Sequence, residues 1–357
     1  MLEILEEITD SNRGRCFIGF DGFTDEIIDV VQRREDLDNY TPYETISSLG
    51  DVLTKGKSLN LELITKRTKI GGNAPILAHA LSQWGHPITL AAPIGTDGSM
   101  EPLFEPLTSQ CTRVIPLGPS AHSDALEFTD GKIILGKLDN VSSISIETLL
   151  QQVAKEELIS LIAEADLFVS ANWTMLPHTH TIWRFILTEV IPHLSPKPRH
   201  FFVDLADPKK RPVEDLKEAL ALLKDLTAHY HVILGLNTSE AHQVGSLLNC
   251  DQEELLPLCQ AIQKESGLNQ IVIHHTKEAL TATTDQTAQT PTFHIPKPKI
   301  STGAGDNFNA GFCHALLLNL SLEECLQCGV ATAGYYVRHG HSPTNPQLLT
   351  FLSEANI

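Results

Sequence analysis

Short apolar runs alternate along this chain with longer stretches in which apolar residues recur every three or four positions. The runs at 15–20, 88–92, 166–170, 200–204, 231–235, 271–275 and 279–284 predict strands. The three-to-four spacing predicts helices at about 74–85, 147–164, 179–191, 212–227, 239–248, 252–266, 304–319 and 322–338. Strands alternating with helices predict an α/β fold, with a mostly parallel sheet covered on both faces. Ligands of such sheets sit at the carboxyl ends of the strands. Asp21, Asn172, Asp204 and Asn237 all fall at or just past those ends.

Two regions interrupt the alternation. Residues 111–138 read as short strands, Arg113 to Leu117, Ala125 to Thr129 and Lys132 to Leu138, with Asp130-Gly131 as a hairpin turn. Residues 22–70 carry Arg33-Arg34-Glu35-Asp36, a turn at Tyr40-Thr41-Pro42-Tyr43 and a helix near 44–54. No internal repeat or low-complexity tract is present.

The richest chemistry lies in Ser301-Thr302-Gly303-Ala304-Gly305-Asp306-Asn307-Phe308, which reads as the start of a helix. A helix start exposes N–H groups without intrahelical partners, and the dipole there favours anions. The glycines let the backbone approach an anion without a Cβ clash. Asp306 in the first turn is placed to take a proton from an attacking hydroxyl. Phe308, Phe312, Ala315, Leu316 and Leu317 follow at a spacing that buries one face, and Gly311 allows close helix packing. The competing structural reading is a tight turn followed by an acidic first-turn residue.

This segment resembles the C-terminal signature of the ribokinase-like (PfkB) carbohydrate kinases. Gly303 to Asp306, Phe308, Gly311 and Phe312 match it. The resemblance implies that Asp306 is the catalytic base, that Gly303, Ala304 and Gly305 belong to the catalytic turn, and that the N–H groups of Ala304, Gly305 and Asp306 form the anion hole. Thr302 falls on the nucleotide side. Ile300 stands where relatives carry an Asp that helps hold a monovalent cation, so activation by such an ion is in question.

Two further segments extend the resemblance. Asn237-Thr238-Ser239-Glu240 follows an apolar run and is similar to the family's Asn-x-x-Glu motif. There the Asn and Glu order the water shell of Mg²⁺ beside the nucleotide, so Asn237 and Glu240 are the expected magnesium residues, acting through water. The same four residues also read as a helix capping box. Gly71-Gly72-Asn73, the helix after it, and Ile94-Gly95-Thr96-Asp97-Gly98 resemble the N-terminal signature, in which Gly-Gly approaches the sugar. Asp21, in Gly19-Phe20-Asp21-Gly22, implies a ligand for sugar hydroxyls, with Asp25 a weaker candidate. Asn172 at another strand end is a further expected substrate residue, Trp173 beside it could flank a sugar ring or a base, and the turn Asp204 to Arg211 resembles a strand end of several sugar kinases of the family. One departure lies at Thr276-Lys277-Glu278-Ala279, where many relatives carry Gly-x-x-Gly against the nucleotide.

Taken together, the resemblance implies one ribokinase-like domain over residues 1–357: a three-layer α/β/α sandwich with a small β lid drawn from about 22–70 and 111–138. It implies an ATP- and Mg²⁺-dependent kinase acting on a hydroxyl of a sugar or sugar-derived acceptor, and a possible homodimer through the lid. The alternatives are a nucleoside or vitamin-precursor kinase of the same fold, or a catalytically silent sugar-binding relative.

Composition narrows the partners. A formal charge of −18 argues against nucleic acid and against anionic membranes. No apolar run approaches a membrane span, and the acidic segment Met1 to Asp10 is unlike a secretory signal. Seven scattered cysteines suit a reducing cytoplasm. Cys325-x-x-Cys328 lies in a helical stretch with no second pair, and the sixteen histidines show no metal-ligand spacing.

Overall fold

The computed structural model describes residue 5 and residues 13–56, 58–96, 98–250 and 252–354. The readings made of Met1 to Asp10 as a whole and of Asp97 lie outside the described residues. Sixteen strands are found among those described: β1 (Cys16–Gly19), β2 (Phe23–Arg34), β3 (Tyr40–Pro42), β4 (Leu63–Gly71), β5 (Ile88–Ala92), β6 (Gly95–Thr96), β7 (Ser99–Met100), β8 (Arg113–Pro116), β9 (Ala121–Phe128), β10 (Gly131–Lys137), β11 (Leu167–Ser170), β12 (His200–Asp204), β13 (His231–Asn237), β14 (Gln270–His274), β15 (Glu278–Thr283) and β16 (Thr287–Pro291).

Nine of them form one sheet in the order β16-β15-β14-β13-β12-β11-β1-β5-β8. The run from β14 to β8 is parallel, and β15 and β16 add an antiparallel edge. The strands are apolar on both faces because helices cover both. Phe17, Phe168, Phe201, Val232 and Ile271 enter one core, and their neighbours Ile18, Val169, Phe202, Ile233 and Val272 enter the other. Phe17, Phe168 and Phe201 stack across three adjacent strands at centroid spacings of 5.2 and 4.8 Å. Such cross-strand aromatic contact adds to the burial that holds the sheet together.

A second sheet of β10, β9, β2, β3 and β4 stands apart from the first. Its outer face has its own small core, in which Ile28, Val30 and Leu126 pack under Tyr43 and Leu49. Leu49 belongs to the helix Ile46–Leu53, which Thr45 caps. β8 was expected among these short strands. It instead pairs in parallel with β5 as the edge of the central sheet.

Two expected helices are broken. Residues 147–164 form the helices Ile146–Gln152 and Lys155–Glu164, separated by extended Val153 and Ala154. The stretch 179–191 begins as an α-helix and widens into a π-turn at Ile186–Val190. Pro192 follows in a short 3₁₀ turn and offers no N–H for an ordinary helical bond. Cys16, Cys111, Cys259, Cys313, Cys325 and Cys328 are free thiols. No helix among the described residues is long and apolar enough to cross a membrane.

Candidate active site

Gly303 opens the helix Ala304–Leu317 with φ of 96°, a left-handed conformation that a glycine adopts without strain. A Cβ there would lie 2.9 Å from the Tyr336 hydroxyl, which donates to Thr302 O at 2.9 Å. The Ala304 N–H is spent on Ser301 O at 3.2 Å. Among the described residues, no acceptor meets the N–H groups of Gly305 and Asp306. Of the three donors expected in the anion hole, these two are therefore open.

Asp306 is buried, and burial together with the charge of Asp21 pushes its carboxyl up to about 7. The charge of Lys69 and a hydrogen bond from the Asn73 side chain oppose that rise. A carboxyl poised near neutrality suits a general base better than an ordinary aspartate does.

The turn Gly71-Gly72-Asn73 enters the helix Asn73–Gln83, with Gly72 at φ of 88°. Asp21 sits beneath this helix start with its side chain fully enclosed. Its two oxygens accept the N–H groups of Asn73 at 2.9 Å and Ala74 at 2.8 Å, and the Asn172 amide at 2.7 Å. An anion at a helix start is stabilised by those donors and the dipole. Asp21 and Asn172 thus meet in a buried layer that fixes the Asn73 turn. Asp25 is the acid nearer the surface of that turn: a Cβ on Gly71 would fall 2.2 Å from its Oδ1.

Asn237 and Glu240 form the capping box that their spacing suggested. Asn237 Oδ1 accepts from Glu240 N at 3.0 Å, and Glu240 Oε2 accepts from Asn237 N at 2.8 Å. Glu240 Oε1 accepts from Asp207 N at 2.8 Å. Asp204 at the end of β12 is buried close by and receives the Asn309 amide at 2.8 Å. Burial, then the charges of Glu240 and Asp306, hold the Asp204 carboxyl well above the usual range. Buried carboxylates that repel one another across two strand ends and a helix start suit a hard cation that prefers oxygen. They are not clustered as direct ligands. Among the described residues the group of three close enough for that is Glu26, His122 and Asp124, on the second sheet. The wider spacing of the strand-end carboxylates fits a hydrated Mg²⁺ held through its waters.

A cavity of about 800 Å³ adjoins this helix start, with Asn237, His274 and Gly305 at one end and Phe293, Val330 and Val337 along its walls. Its apolar walls and few polar groups suit a nucleotide base and ribose. His274, at the end of β14, packs beneath Gly305 and against the Phe308 ring at 5.3 Å. Burial pulls its imidazole down to about 4, so it is neutral at physiological pH. Thr276 and Lys277 line the cavity where the glycines of relatives were expected.

Trp173 is not at the site. It is buried, donates to His180 Nε2 at 2.9 Å and carries the Arg211 guanidinium 3.9 Å above its ring. The local sequence singled out neither Lys69 nor Lys132. Both reach this region from the second sheet, Lys132 by donating to Thr302 Oγ1 at 2.8 Å.

The family described as prokaryotic ketohexokinase matches residues 3–355. A ketohexokinase of Haloferax volcanii is 27% identical over 360 aligned positions, covering 98% of this chain and 93% of that one. A nucleoside kinase of Methanocaldococcus jannaschii is 28% identical over 135 positions, 38% of this chain and 42% of its own. Among solved structures, a ribokinase of Arabidopsis thaliana in complex with ribose and ATP superposes with a TM-score of 0.67 at 17% identity, covering 95% of this chain and 99% of its own. A ribokinase of Thermotoga maritima does so at 0.64 and 17%, with the same coverage.

Proposed function

The chain belongs to the prokaryotic ketohexokinase family, within the ribokinase-like (PfkB) carbohydrate kinases, and is an ATP-dependent sugar kinase; from that premise we propose that its acceptor is a ketohexose and that Asp306 is the general base. The observation that carries the reading is Asp306 itself. Its carboxyl, pushed up to about 7, stands beside two open N–H groups, with the apolar cavity on one side and Asn73 on the other.

In this reading ATP occupies the cavity, with its terminal phosphate at the Gly305 and Asp306 N–H groups and Thr302 at its edge. The acceptor hydroxyl lies between the Asn73 amide, the Gly71-Gly72 backbone and Asp25. Asp21 and Asn172 act from below by holding that turn in place. The hydroxyl proton passes to Asp306 as the oxygen bonds to the γ-phosphorus, and the bond to the bridging oxygen breaks to release ADP. The open N–H groups take up charge that grows on the transferring group. Asn237 and Glu240, with Asp204 nearby, would hold the waters of Mg²⁺, which supplies charge neutralisation on the phosphates. The lid sheet covers the acceptor and keeps out water that would compete for the phosphoryl group.

The test is ADP release with a panel of ketohexoses, aldohexoses, pentoses, sugar acids and nucleosides. A ketohexose should give the highest kcat/KM. A nucleoside in that place would replace the acceptor assignment.

A further inference from the structure

A charged row crosses the inner face of the lid, one residue from each of three neighbouring strands. Lys69 of β4 and Ser123 of β9 are both register partners of Asp25 in β2. Ser123 donates to Asp25 Oδ1 at 2.5 Å, and Lys69 Nζ lies 3.3 Å from Asp25 Oδ2. Their exposures are 7% for Lys69, 5% for Asp25 and 5% for Ser123.

Burying an ion pair rarely stabilises a fold. The desolvation of two charges offsets their attraction, and an apolar pair of the same size does as well or better. A pair retained here, beside the catalytic carboxyl, therefore asks for a reason other than stability. The Lys69 charge is felt at Asp306 and at Lys132, and the Asp25 charge at Asp306, Lys132 and Tyr336. The row thus faces the space where Asp306 meets the acceptor.

The donors and acceptors can be counted. An ammonium has three N–H groups. Lys69 directs one, at 3.4 Å, to Ile70 O and stands 3.3 Å from Asp25 Oδ2 as an ion pair, which leaves N–H groups for a ligand. Asp25 accepts from Ser123, pairs with the Lys69 charge and keeps free lone pairs. A hydroxyl can fill both vacancies at once, donating to Asp25 while accepting from Lys69. A carboxylate or phosphate has no proton to give Asp25, and its charge meets Asp21, Asp25 and Asp306 together.

We propose that Lys69 is a specificity-determining residue of the acceptor site. With Asp25 it forms a matched donor and acceptor that takes a neutral hydroxyl and turns away an anionic group at the same position. The proposal rests on the sugar-kinase reading and assigns this chain an uncharged polyol acceptor. A sugar acid with the same carbon skeleton is excluded by Asp25, not by size.

The experiment is steady-state kinetics of the full chain with ATP and two acceptors, D-fructose and 2-keto-D-gluconate, for wild type and for Lys69→Met, Lys69→Arg and Asp25→Asn. Wild type should favour the neutral acceptor by at least ~100-fold in kcat/KM. Lys69→Met should raise the fructose KM by ~10-fold or more with the ATP KM unchanged within about twofold, and Lys69→Arg should recover part of the loss. Asp25→Asn should shrink the neutral-to-acid ratio by ~10-fold. An unchanged fructose KM in Lys69→Met, an equal rise in the ATP KM, or a wild type that takes the acid as readily as the ketose would overturn the proposal. Removing Lys69 strands a buried carboxylate, so melting curves accompany the kinetics. If Lys69→Met does not fold, the folded Lys69→Arg enzyme decides by the same KM split. Should wild type refuse every ketohexose but phosphorylate another neutral acceptor, the ketohexose assignment fails while Lys69 is judged on that acceptor.

Discussion

Lys132 Nζ on lid strand β10 donates to Thr302 Oγ1 at 2.8 Å and so joins the lid to the residue just ahead of the catalytic turn. Burial lowers the Lys132 ammonium from its ordinary range, and the charges of Glu127, Asp25 and Asp306 work against that. In the proposed mechanism this contact ties closure of the lid to the place where phosphate binds. Lys132→Met should lower kcat with acceptor by ~10-fold or more and raise the share of ATP lost to water. ADP release measured with and without sugar reads both. An unaltered ratio of transfer to hydrolysis would separate Lys132 from closure.

With Asp306 as the proposed base, its raised carboxyl places the acid limb of activity near neutrality. A general base works only when deprotonated. A carboxyl moved from 3.8 to about 7 therefore carries the fall in kcat/KM up to near neutrality. The logarithm of kcat/KM should drop with unit slope below about pH 7. Asp306→Asn should lose at least ~100-fold in turnover, with nucleotide affinity little changed. Near-normal turnover in that variant would remove the assignment.

The two halves of the site were not equally legible in the sequence. The helix start at Gly303 to Asp306 and the capping box at Asn237 to Glu240 are local. Their glycines, acid and cap residues announce themselves within a few positions, and the geometry follows. The alternation of apolar runs was equally readable, because strands buried on both faces carry little else. Asp21 shows the limit. A strand-end aspartate can face a ligand, hold a neighbouring helix or do both, and its bonds to the N–H groups of Asn73 and Ala74, some fifty residues away, carry no local signature. Lys69, Lys132 and Ser123 carry no local signature because their partners lie on other strands or in the anion turn. Arg113–Pro116 reads as a strand from its own residues. Its sheet is set by pairing with Ile88–Ala92.

Gly311 is where the catalytic helix meets its neighbour. A Cβ there would lie 2.4 Å from Thr332 Oγ1 and 2.6 Å from Cys328 O, both in the helix Leu322–His339. One of those obstacles is backbone and cannot rotate away, so the helices must separate. Gly311→Ala should cost about 1–3 kcal/mol. Denaturant melts give the loss directly. Activity of the folded fraction should fall as well, because the same helix carries Asp306. A variant as stable as wild type would show that the helix pair has slack.

Far from the site, two histidines make the fold acid-sensitive. His86 Nε2 and His314 Nδ1 lie 2.8 Å apart in the core, and His86 Nδ1 reaches Gly14 O at 3.1 Å. One nitrogen of the close pair must accept, so both rings cannot be doubly protonated together. Burial pulls His86 down to about 4 and holds His314 well below its ordinary value. The unfolded chain then binds protons from about pH 6.5 while the folded chain resists until about pH 4. Stability is full above the upper value and falls as pH drops through that window, by about 3 kcal/mol for His86. Asp204 and Glu240, whose carboxyls are raised, act in the opposite sense, since the folded chain binds their protons first. The difference between wild type and His86→Gln isolates the histidine contribution. Thermal melts from pH 7.5 to 4 should show a shallower decline in the variant than in wild type. Parallel curves would mean that the pair does not govern the acid limit.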